Sequence, residues 1–256
     1  MSDALVIFER RSEEVAVSIL NQPEKRNALS IELMRQLCAH AVQVEKDGKT
    51  RIWILRSNGP AFCAGLDVRE AIDPRQGVES AKMVRECLSA IYRIPLVTIA
   101  MVHGAVRGGG AGLVAACDFA VANQDATIGF PEVRLGLVSA QVLSLLVRKI
   151  RRADIRELLL SGEAIDAARA SQMGLFQRVG NMETAAQEII SQVLQAAPGA
   201  LAKTKQLLDR FDSHSLQDEI EMCMQYYLHA RAGMEAQEGI RSFLEKRRPV
   251  WHRSSK

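Results

Sequence analysis

The 256-residue chain is 48% hydrophobic and 25% charged, a globular balance with room for one large domain or a domain and an appendage. A net charge of +3 and an aromatic content of 5% argue against a nucleic-acid surface, which needs clustered basic charge and stacking platforms. Five cysteines (Cys38, Cys63, Cys87, Cys117, Cys223), odd in number and without CxxC spacing, predict reduced thiols and a cytoplasmic protein. The first residues, "MSDALVIFERRSEE", show no secretory pattern, and no apolar run approaches the roughly 18 residues of a membrane span.

In chain order, "ALVIFE" and "VAVSIL" are β-rich runs on either side of the charged "RRSEE", which predicts a hairpin. Ser30 then stands as N-cap before "IELMRQLCAHAVQVEKD", where Leu33, Leu37, Ala41 and Val44 fall at helical spacing. A strand "IWILRS" leads into the loop "NGPAFCAGLDVRE". A helix over roughly 79–92 leads through Pro95 to the strand "LVTIAMV". After a glycine cluster come a short apolar helix, a strand "DFAVA" and another near "ATIGF". Six helical segments follow, the last a long tail to about Lys246. Alternating strands and helices predict an α/β core over 1–196, with a helical region over 197–256.

The cluster "VRGGGAGLVAACD" raises a chemical question, because each glycine costs a helix about 1 kcal/mol against alanine. It is no phosphate loop: "GKT" at Gly48 to Thr50 has Gln43 where the first glycine belongs. A dinucleotide fingerprint fails at Leu113, and neither G-x-S-x-G nor HExxH occurs. Two readings remain. The glycines could serve close helix–strand packing, or they could bare first-turn N–H groups to a substrate oxygen. A second glycine loop, "AFCAGLDVRE", also follows a strand and favours the latter, since the two loops could aim one N–H each at a single oxygen.

The segments "NQPEKRNAL" (Asn21 to Leu29), "GPAFCAGLDV" (Gly59 to Val68), "VHGAVRGGGAGLVAACDFAVA" (Val102 to Ala122), "IGFPEVRLGL" (Ile128 to Leu137) and "FLEKRRPVW" (Phe243 to Trp251) resemble, in this order, the crotonase superfamily. These are the enoyl-CoA hydratases and isomerases. The resemblance implies a crotonase-type α/β spiral of ββα units with a helical C-terminal trimerisation region. The expected assembly is a homotrimer or a dimer of trimers. The implied partner is an acyl-CoA thioester, with no separate cofactor because coenzyme A enters as part of the substrate.

By the same resemblance, the backbone N–H groups of Leu66 and Gly109 would polarise the thioester carbonyl and stabilise an enolate. Glu24, Lys25 and Arg26, with the stretch Ala64, Leu66, Asp67, Val68 and Arg69, would grip the coenzyme. A C-terminal Phe and Lys, matching Phe243 and Lys246, would join them, from the same or a neighbouring subunit. Glu132 matches the family's proton-carrying glutamate; the alternative is a surface residue paired with Arg134. Gly112 departs from the pattern, because two-acid hydratases carry a second glutamate there. Ser139 or Gln141 could instead hold the water. Hydration of a 2-enoyl-CoA is the first expectation and double-bond isomerisation the second, with a non-catalytic CoA or RNA binder as the rival class. Cys63, in a glycine loop, lacks a histidine nearby in sequence and is not expected to be a nucleophile. Asp118 and His103 read as structural. The loop from Asp73 to Ser80 is expected to contribute a pocket wall.

Overall fold

The computed structural model describes residues 4–196, 198–210 and 216–247. The hairpin forms as its two runs predict, β1 (Val6–Arg10) pairing antiparallel with β2 (Val15–Leu20). Helix α1 (Ile31–Lys46) starts where Ser30 caps it, the Ser30 hydroxyl accepting from Leu33 N at 3.2 Å. Its buried face is Leu33, Met34, Leu37, Ala41 and Val44, three to four residues apart as one face of a helix requires. There follow β3 (Ile52–Ser57), β4 (Ala61–Cys63), α2 (Val68–Ile72), α3 (Gln76–Arg93), β5 (Val97–Val102) and β6 (Ala105–Arg107). Helix α4 (Gly109–Ala116) precedes β7 (Phe119–Ala122), β8 (Thr127–Gly129) and a 3-10 turn, Pro131–Leu135. The remainder is α5 (Ala140–Lys149), α6 (Arg152–Ser161), β9 (Ala164–Asp166), α7 (Ala167–Met173), β10 (Arg178–Val179), α8 (Met182–Leu194), α9 (Pro198–Arg210), α10 (Leu216–Ala232) and α11 (Met234–Leu244).

Two sheets organise these elements. The larger has the order β1-β2-β3-β5-β7-β10, parallel throughout except for the β1–β2 hairpin. Strands β2 and β5 are buried at every position, as expected of a sheet covered on both faces, and this is why they read as continuous apolar runs. Ser18 is the polar exception in β2. Its hydroxyl accepts from Trp53 Nε1 at 2.9 Å and lies 3.0 Å from His40 Nδ1, so the buried group is satisfied. The smaller sheet, β4-β6-β8-β9, is built from three-residue strands. No helix among the described residues is long and apolar enough to cross a membrane.

Several short elements escape the sequence pattern. Strands β4, β6, β9 and β10 and helix α2 have two to five residues, too few to show a period. Pairing within the sheets holds the strands instead. The C-terminal tail is not one long helix: Gly233, with extended φ −76° and ψ 158°, separates α10 from α11. Ala197, where the helical region was expected to begin, lies outside the described residues, as do the residues of "FLEKRRPVW" after Arg247. Leu137, Ala140, Met224, Tyr227, Ala236 and Ile240 form an apolar cluster in which α10 and α11 close over the loop before α5. That closure makes the pocket.

Candidate active site

The glycine loops do not follow the strands that the sequence suggests. "IWILRS" and "LVTIAMV" become β3 and β5 of the large sheet, but one further short strand intervenes in each case. The loop at Ala64 to Asp67 leaves β4, and Gly108 follows β6. These two strands pair in parallel in the small sheet, so both loops emerge on the same side. Leu66 and Gly109 thereby become neighbours: a Cβ placed on Gly109 would lie 3.8 Å from Leu66 Cγ.

The backbone explains the glycines position by position. Gly108 has φ +48° and ψ −118°, a conformation that residues with a side chain rarely adopt. This turn ends β6 and starts α4 at Gly109. A Cβ at Gly110 would approach Cys63 Sγ to 2.6 Å, so close packing is part of the answer as well. Chemistry is the other part. The N–H of Gly109, first in α4, has no acceptor among the described residues, and neither has that of Leu66. Leu66 bridges Leu29 in parallel, with Leu29 N donating to Gly65 O and Asp67 N to Leu29 O; its own N–H is left facing elsewhere.

Both residues line one cavity of about 140 Å³. Its walls are mainly apolar: Val68 and Ala71 from α2, Leu135 at the end of the 3-10 turn with Leu137 and Val138 after it, Val142 from α5, and Tyr227 and Ile240 from the C-terminal helices. Glu132 enters from the 3-10 turn, a step beyond the plain loop that Pro131 suggests. A Cβ on Gly108 would stand 2.8 Å from Glu132 Oε1, and Ser139 Oγ donates to Oε2 at 2.8 Å. Burial raises the pKa of this carboxyl, and the Ser139 bond only partly opposes the effect. The surface ion-pair alternative is excluded: Arg134 turns away to the Ser161 carbonyl, 3.2 Å from Nη2, and to Glu163.

Other expected residues are placed less closely. Val68 lines the cavity, Ala64 stands at its exposed edge, and Asp67 caps α2 by accepting from Arg69 N at 3.0 Å, with Arg69 exposed. Glu24, Lys25 and Arg26 sit exposed on a 3-10 turn, Pro23–Lys25, and its end. That turn is tied to the pocket loop because Ala64 N donates to Arg26 O at 2.9 Å. Phe243 lines the cavity of its own chain while remaining 57% exposed, so no neighbouring subunit is needed to bring it there. Lys246 is exposed, past the end of α11, and does not line the cavity.

The segment from Asp73 to Ser80 is not a wall; it caps and begins α3. Gln141 lines the cavity, but its amide nitrogen donates to Ala81 O at 3.1 Å. Cys63 is fully buried with its thiol pushed up to about 12, which leaves no thiolate for attack. Asp118 accepts from Thr98 N and Oγ1 and pairs with Lys205 at 2.8 Å, a structural role. His103 lies 2.8 Å from the Gly59 carbonyl at the end of β5.

Gly112 faces a filled space. A Cβ there would meet Val142 Cγ1 at 2.8 Å and Leu88 Cδ2 at 3.2 Å. Val142 is β-branched and stiff, so the neighbour cannot swing aside cheaply. Gly112→Glu alone should therefore cost about 1–3 kcal/mol by overpacking. Thermal melts should show a lowered Tm that Val142→Ala partly restores. A single variant as stable as wild type would refute this account of the wall.

The two-sheet spiral with helices closing over its pocket is the crotonase fold. The crystal structure of an enoyl-CoA hydratase from Mycobacterium avium superposes with a TM-score of 0.86 at 32% identity, covering 97% of this chain and 99% of that one. The chain belongs to the enoyl-CoA hydratase/isomerase family, matched over residues 10–254, and is an enzyme of the crotonase superfamily, which acts on acyl-CoA thioesters. Among relatives, an enoyl-CoA isomerase/hydratase of Mycosarcoma maydis is 29% identical, over 91% of this chain and 90% of its own. The mitochondrial enoyl-CoA hydratase domain-containing protein 3 of Danio rerio is 31% identical, over 91% and 83%.

Proposed function

We propose that the enzyme hydrates a short-chain 2-enoyl-CoA. The carrying observation is that two unpartnered N–H groups and one desolvated carboxyl open onto the same small apolar cavity. Leu66 and Gly109 donate to the thioester oxygen, which takes up charge as the enolate develops. Glu132 accepts a proton from water as the water oxygen bonds to C3, and returns that proton to C2. Water is thus added across the double bond with one acid. The cavity is close to the ~150 Å³ that holds a benzene ring, which suits a crotonyl group better than a long chain. Coenzyme A lies along the turn of Glu24, Lys25 and Arg26, with Asp67, Arg69, Phe243 and Lys246 at the mouth.

A second reading, double-bond isomerisation, draws on the same single carboxyl, because one glutamate can move a proton between the α and γ carbons. The presence of polar groups besides Glu132 in the cavity favours water. The experiment is direct: purified enzyme with crotonyl-CoA should deplete the conjugated thioester absorbance and yield 3-hydroxybutyryl-CoA. If 3-enoyl-CoA is converted to 2-enoyl-CoA and no hydroxyacyl product forms, the isomerase reading replaces it.

A further inference from the structure

Hydration with one acid needs something to hold the water at C3, and the groups lining the cavity can be checked in turn. The end of the Arg107 guanidinium is bound to Val106 O and Thr127 O, each at 2.9 Å, and to Thr127 Oγ1 at 3.1 Å. Ser139 Oγ donates to Glu132 Oε2 and Gln141 Nε2 to Ala81 O, so both side chains are already anchored by partners within the protein. No acid stands at Gly112, where a Cβ would crowd Val142 and Leu88. Tyr227 is different. It is 4% exposed, it lines the cavity from α10, and no hydrogen bond from its hydroxyl is found among the described residues. A buried phenol is ordinarily partnered, so an unpaired one at a ligand cavity marks a place for a ligand atom.

The electrostatics suit a neutral positioning group. Burial pushes the Tyr227 hydroxyl up to about 12; the positive charge of Arg231 opposes this and the negative charge of Glu132 adds to it. The phenol therefore stays protonated wherever the enzyme works, and cannot itself be the base. Tyr227 and Glu132 line the same cavity.

Resting on the hydratase reading, we propose that Tyr227 is the residue that positions the nucleophilic water opposite Glu132. The phenol oxygen accepts the hydrogen that the water keeps. The other hydrogen goes to Glu132 as the O–C3 bond forms and the C2–C3 π electrons move toward the thioester. The proton then passes from Glu132 to C2. Nothing else is consumed.

The test is Tyr227→Phe, which keeps the ring in its packing site, measured in two reactions. One is hydration of crotonyl-CoA; the other is deuterium uptake from heavy water at the α carbon of butyryl-CoA. The exchange needs Glu132 and the two N–H groups but no water at C3. The ratio of hydration to exchange should fall at least about tenfold, the effect of losing one hydrogen bond in the transition state. An unchanged ratio, with both rates kept or both lowered in parallel, overturns the assignment. Failure of the wild type to form 3-hydroxybutyryl-CoA would instead sink the hydratase reading, and this inference with it.

Discussion

Glu132→Gln should lower turnover of crotonyl-CoA by about 10²–10⁴-fold, the range for removal of a positioned acid or base. Binding of the thioester should survive, since Leu66 and Gly109 are untouched and glutamine still accepts from Ser139. The stability of the same variant carries a second signature. Burial raises the folded pKa of Glu132 above its unfolded value. Its neutral form therefore suits the fold, fully so below the unfolded pKa, and that contribution is lost as pH rises through the folded pKa. Glutamine escapes this loss. Melting curves should show little difference between variant and wild type near pH 4 and a more stable variant near pH 8. Hydration by the wild type should fall as pH drops through the raised pKa, because the base must be ionised. Full activity in Glu132→Gln would mean that another group carries the proton.

Gly109→Pro should reduce kcat by at least about 10²-fold, the cost of one donor to a developing oxyanion. The substitution suits this site unusually well. Proline is accepted at the first position of a helix, where its missing N–H has no helical partner. The residue before it, Gly108, is at φ +48° and ψ −118°, away from the α region that a following proline disfavours. The control is Gly109→Ala, which keeps the N–H and brings a Cβ 3.1 Å from Leu29 Cδ1, the end of a flexible side chain. Alanine should lose far less activity than proline. Equal losses would show that bulk, not the N–H, is what the site cannot tolerate.

Much of the site was legible in residues that do one local job. Ser30 caps a helix, Gly108 makes a turn, and Glu132 follows a proline that ends a short strand; each leaves a local trace. The fold of the large sheet was equally legible, because β2 and β5 are buried on both faces and need unbroken apolar runs. The pocket walls were not. Ile220, Met224 and Tyr227 form a buried stripe at helical spacing. That spacing says the face is covered, but it is silent on what covers it. Gly112 shows the same limit: its missing side chain is plain in the sequence, whereas the reason is Val142, thirty positions later.

The sequence by itself thus determined the segments with a period, the two glycine loops, and the position of Glu132 after Pro131. The tertiary structure decided which sheet the loops leave. Strands β4 and β6 are too short to announce themselves and exist only through pairing within the small sheet. It also decided that α10 and α11 close over their own chain's cavity, so that Tyr227 and Glu132 line the same space. Local propensity is written within a few residues of where it acts. A cavity is the space left between elements far apart in the chain, and its shape and charge are settled only when they pack.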